Sequence, residues 1–104
     1  LTEPISNAAW ATFVTLQLAD IYTTYEGLKY DCVIEANPLL GDTPSLERMV
    51  FTKMAILGPA IEHDLRNENL TPKVINEINV WMTLVVMNNY NVWHRSKNKC
   101  SKRP

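Results

Sequence analysis

Two Thr-Pro pairs constrain the chain before anything else does: Thr43-Pro44 and Thr71-Pro72. Threonine is a good helix N-cap, and proline at the first helical position lacks only an N–H that would have no partner there anyway. Thr2-Glu3-Pro4, with Ser6-Asn7 as a second option, supplies a third start. The expected helices therefore run at about 5–29, 44–66 and 72–96. Glu47 falls in the first turn of the second, where the helix dipole favours an acid. No stretch alternates strictly between apolar and polar residues, so strands are disfavoured. The connection 67–71 is short and polar, which makes its two helices antiparallel neighbours. In the first connection, Pro38 pushes Asn37 out of the helical region and Gly41-Asp42 reads as a turn. Gly58-Pro59 interrupts the second helix and should kink it.

The reading is an all-α, three-helix antiparallel bundle. With 104 residues it is one domain, ending in a basic tail over 95–104. A formal charge of -1 and a pI near 6.1 give no nucleic-acid footprint, and no specific nucleic-acid partner is expected. The charge is nevertheless uneven. Arg95, Lys97, Lys99, Lys102 and Arg103 crowd the last ten positions with no acid among them. Such a tail is either solvated and frayed or faces anionic lipid or another partner.

Hydropathy and patterning disagree about the solvent. A mean hydropathy of -0.15 and the lack of any run of 18 uncharged apolar residues suit a soluble bundle. The type of polar residue points to a membrane. Gln17, Asp20, Thr24 and Gly27 share one face of the first helix; Asn76, Asn79, Thr83 and Tyr90 share one face of the third. Water-facing helix surfaces are usually written with Glu, Lys and Arg, whereas small and amide side chains join helices in lipid. Large apolar residues flank both stripes, and most aromatic residues lie toward helix ends, as interfacial belts require. The expectation is a membrane-embedded bundle whose partners are the lipid bilayer and either other membrane proteins or further copies of itself. With three spans, Lys29 and the tail bases share a side against Arg66 and Lys73, which places the C-terminus in the cytoplasm.

The string Asp20-Ile21-Tyr22-Thr23-Thr24, then Gly27, then Glu35-Ala36-Asn37-Pro38-Leu39-Leu40, followed by Pro44, Arg48 and Lys53, resembles the DUF5658-like family. These are small, functionally uncharacterised bacterial and phage membrane proteins. The resemblance covers about positions 15–60. It implies a membrane location and no known activity, and the chain is more polar than the family in its first and third helices.

Asp20, deep in an apolar helix, needs a partner or a proton. Lys53 lies at a similar depth in the antiparallel neighbour, with Thr24 as a donor; Glu35 and Asn37 stand near the start of the second helix. These five residues are expected to form a polar lock that fixes helix register. An intramembrane pair that moves ions or protons, or a hydrolytic site using Asp20 and Glu35, are the sharper alternatives.

Other motifs say less. Glu62, His63 and Asp64 are adjacent and point to different sides of a helix, so no metal site is expected. Asn69-Leu70-Thr71 is a glycosylation sequon, but Thr71 is better explained as a cap. There is no GxSxG, P-loop, HExxH or phosphate cradle, so neither an enzyme nor a cofactor is called for. Cys32 and Cys100 have no local framework and are expected to be free thiols. No uncleaved signal peptide is expected at Leu1-Thr2-Glu3-Pro4. The functional expectation is a small membrane structural or accessory protein, possible phage origin included. The alternatives are a soluble three-helix binding module and an ion- or proton-handling protein using Asp20 and Lys53.

Overall fold

A computed structural model of the chain describes residues 4–34, 41 and 44–104. Three helices form, α1 (Asn7–Gly27), α2 (Leu46–Arg66) and α3 (Pro72–Lys99), with no named strand among the described residues. Each start has a hydroxyl cap. Ser6 accepts from the Ala9 N–H at 3.1 Å and Thr71 from the Val74 N–H at 3.3 Å, with Pro72 as the first helical residue. α2 starts two residues later than expected, because Ser45 takes the cap and accepts from the Arg48 N–H at 3.2 Å. Thr43 lies outside the described residues, as do Glu35 and Asn37.

α2 runs through Gly58-Pro59 as one helix. Pro59 has no N–H to offer the Ala55 carbonyl, so one rung of the ladder is missing there. At its C-terminus Glu68 takes a left-handed φ of 58°, and the Asn69 N–H reaches back to the Asp64 carbonyl at 2.8 Å. That reversal turns the chain back into α3, but α2 does not lie closely along α3: the closely packed pair is α1 and α3, and α2 touches α1 more lightly, so the expectation that the short 67–71 connection makes α2 and α3 neighbours is not met. α1 and α3 run parallel and side by side. The Asn79 amide meets the Ala9 carbonyl at one end, and at the other Gly27 lies against Trp93. Gly27 is buried in that contact.

The molecule measures 54 × 22 × 17 Å. Its radius of gyration, 15.7 Å, exceeds the roughly 13 Å of a compact chain of this length. The apolar core gathers at one end, where Phe13, Leu70 and Ile75 pack with Trp10, Leu57 and Ile61. A second cluster closes the other end, with Tyr22 and Tyr90 each edge-on to Trp93 at 5.8 Å. Between them, buried Met49 and the side chains of Ile21 and Val85 lie beside a polar group formed by Asp20, Lys53 and Asn89. The exposed surface, 7304 Å², is well above the roughly 5,900 Å² of a compact protein of this mass. Phe51, Met54, Trp81, Leu84 and Met87 remain in the open. No helix among the described residues is long and apolar enough to cross a membrane.

Two expectations about the C-terminus are corrected. Cys32 and Cys100 are bonded to each other, with a Cα separation of 6.0 Å across 68 positions of sequence. Sequence spacing did not announce the bridge, because only the parallel α1–α3 pairing brings the two residues together. α3 also continues to Lys99, so its end reaches the segment that follows α1. Nor is 95–104 a frayed tail: residues 95–99 are helix, and the segment after them pairs with the segment after α1. The Asp31 N–H donates to the Ser101 carbonyl at 3.0 Å, and the Arg103 N–H to the Lys29 carbonyl at 2.6 Å. The Arg103 guanidinium donates from Nε to the Leu28 carbonyl at 2.9 Å and from Nη2 to the Val33 carbonyl. These carbonyls follow the end of α1, where a cation also meets the negative end of the helix dipole.

Candidate functional site

Midway along the bundle, α1 supplies Asp20 and Thr24, α2 supplies Lys53 and α3 supplies Asn89. Lys53 Nζ donates to Asp20 Oδ2, and both side chains are 21% exposed. Asn89 Nδ2 donates to Asp20 Oδ1 at 2.7 Å and to Thr24 Oγ1 at 3.2 Å. One carboxylate thus receives a donor from each of the other two helices. A cavity of about 360 Å³ lies beside it, lined by Asp20, Thr24, Met49, Lys53, Val85 and Asn89.

Of the five residues expected in the lock, the structure brings Asp20, Thr24 and Lys53 together; Glu35 and Asn37 fall outside the described residues. Sequence reasoning missed Asn89. It lies on α3 among other asparagines, Asn88 and Asn91 included, and spacing along that helix cannot say which one faces α1.

The stripe proposed on α3 divides. Asn79 is buried, and its amide donates to the Ala9 carbonyl at 3.2 Å. Its Oδ1 has no partner among the described residues. Thr83 turns back on its own helix, donating to the Asn79 carbonyl at 2.8 Å. Asn76 and Tyr90 are exposed. Near the far end, Lys29 bonds Glu26 at 2.9 Å and sits 5.0 Å from the Tyr25 ring centroid. The Glu26 hydrogen bond holds its ammonium above the ordinary lysine value.

The basic cluster also divides. Arg95, Lys97, Lys99 and Lys102 are exposed, whereas Arg103 is turned into the chain. Asp31 stands beside Cys32 and Cys100, but the two sulfurs are spent on each other and present no thiolate to a metal.

Compared with family models, characterised proteins and solved structures, the chain matches none.

Chemistry must then be read from geometry. Each Asp20 oxygen already accepts a strong donor. Removing the Lys53 ammonium or the Asn89 amide would leave the carboxylate with one fewer donor, and removing Asp20 would strand both. The arrangement suits a register lock centred on α1, whose Asp20 takes Lys53 from α2 and Asn89 from α3.

Proposed function

We propose that this chain is a small membrane structural or accessory protein that acts through helix packing in a larger assembly, with lipid covering its bare apolar faces. The observation that carries this reading is a belt around the middle of the bundle. From Asn7 to Tyr25 α1 holds one charged residue, Asp20; from Met49 to Ile61 α2 holds one, Lys53; from Ile78 to His94 α3 holds no Asp, Glu, Lys or Arg. At 1.5 Å per residue these segments are about 28, 20 and 25 Å long, close to the roughly 30 Å of a hydrocarbon core. The only two charges in the belt neutralise each other inside. Every other charge lies toward one end or the other.

Hydropathy averages all faces of a helix. It penalises α1 and α3 for polar residues such as Asp20, Asn79 and Asn89 that here meet other helices. Polar contacts between helices beside exposed large apolar residues are a distribution a lipid solvent favours, although Thr83, Asn88 and Asn91 also face outward on α3. The resemblance to DUF5658-like proteins adds to the reading, as does the bend expected at Gly58-Pro59, a feature common in membrane helices.

Fractionation tests it. Membranes from expressing cells are washed with alkaline carbonate, and the protein should stay in the pellet until detergent releases it. A folded, monodisperse protein in detergent-free buffer would overturn the membrane reading and favour a soluble binding module. Ion or proton flux in vesicles, lost in a folded Asp20→Asn/Lys53→Met variant, would replace packing with ion handling.

A further inference from the structure

The clamp at the C-terminal end plays no part in the packing role, and it bears on where the protein works. We infer that the end of the bundle carrying Cys32 and Cys100 lies in an oxidising, non-cytoplasmic compartment. The fold brings the two sulfurs together by several independent contacts. Tyr30 and Lys102 pair antiparallel, two backbone bonds flank them, and the Arg103 guanidinium holds the Leu28 and Val33 carbonyls. Gly27, Leu28 and Tyr30 are buried beneath this corner. Thiols held this way close into a bridge wherever an oxidant is present. Two thiols become one disulfide by losing two protons and two electrons, and the electrons pass by thiol–disulfide exchange to a partner disulfide, which becomes a dithiol.

The bridge is also open to attack. Cys32 is exposed and Cys100 half-buried, so thiol reductants reach the sulfurs. In a compartment kept reducing by small thiols and thioredoxins such a bridge does not persist, whereas outside the cytoplasm it does.

The basic residues argue for the opposite side, and the two effects must be weighed. Positive-inside bias is a statistical tendency of Lys and Arg near helix ends, and Arg103 counts in it, since carbonyl acceptors leave its charge intact. Disulfide formation is a chemical requirement, and that bias does not supply an oxidant. Given the membrane reading, helix parity then puts the α2–α3 turn and the start of α1 on the cytoplasmic side. That orientation rests on the proposed function; the oxidising compartment does not.

The experiment traps thiols in the source cells. Living cells are treated with a permeant maleimide, denatured, reduced and labelled with a heavier maleimide. Mass spectrometry of the Cys32 and Cys100 peptides should find the heavy label on both. The light label on both would mean free thiols in the cell and would overturn the inference. A second arm applies an impermeant reductant and an impermeant maleimide to intact cells and to inverted vesicles. Labelling from the outer face alone is expected; labelling from the cytoplasmic face alone would overturn it equally. A bridged protein released by carbonate supports the compartment while sinking the membrane reading, so the two failures are distinguishable.

Discussion

Asn89 shows how much a single amide decides in this molecule. It supplies a donor to Asp20 and another to Thr24, and without it one carboxylate oxygen in a half-buried site loses its partner. Asn89→Leu should cost about 2 kcal/mol, the usual scale for a hydrogen bond to a charged group, with its unfolding midpoint as the readout. Asn89→Asp should cost more, because it sets a second carboxylate against the first. The ion pair itself calls for a double-mutant cycle. Asp20→Asn or Lys53→Met alone strands one charge and should cost roughly 2–3 kcal/mol, a little under a fully buried pair because both side chains stay 21% exposed. The double variant should recover at least about 1 kcal/mol of the summed loss; strict additivity would mean the two groups do not interact. The pairing of Asp20 with Lys53 was legible in the sequence because both stand alone among apolar neighbours at matching depth in antiparallel helices. Asn89 was not, because an uncharged amide among several others leaves no such signature.

At the scale of the element, helix starts were easier to read than helix ends. A cap and a proline act within four residues, so Thr71 announces itself; Ser6 was the second option for α1, and at α2 Ser45 takes the place expected of Thr43. The ends depend on contacts far away in sequence. Just beyond α1, Arg103, 75 positions from Leu28, meets the Leu28 carbonyl, and α3 continues until Cys100 reaches Cys32. Neither partner can be inferred without knowing that α1 and α3 are parallel. The end of α2 carries a local weakness instead. Glu68 holds a left-handed φ of 58°, where a side chain costs roughly 1 kcal/mol and glycine is the usual occupant. Glu68 is exposed, so its removal breaks no packing. Glu68→Gly should therefore raise stability by about 0.5–1 kcal/mol in a denaturant titration, and Glu68→Val should lower it.

The whole molecule keeps large apolar residues such as Phe51, Met54, Trp81 and Met87 on the outside of its middle, beside exposed Thr83, Asn88 and Asn91, while Asp20, Lys53 and Asn89 meet between the helices. In water, leaving Phe51 75% and Trp81 67% exposed forgoes burial worth roughly 25 cal/mol for each Å². In lipid the same positions cost nothing, while the lock satisfies groups that hydrocarbon would leave unpaired. Trp81 separates the two solvents. It stands in the belt of α3, away from the Trp10–Phe13 contact and the Tyr22–Trp93–Tyr90 cluster. A variant with Trp10→Phe and Trp93→Phe leaves it as the sole tryptophan, and both changes keep an aromatic ring in each cluster. Reconstituted into vesicles whose acyl chains carry bromine, Trp81 should emit at short wavelength and be strongly quenched, because bromine acts only at near contact. Water-like emission that bromine leaves untouched would place α3 outside the bilayer. The exposed apolar residues would then have to be covered by protein, and the soluble bundle would be the better account.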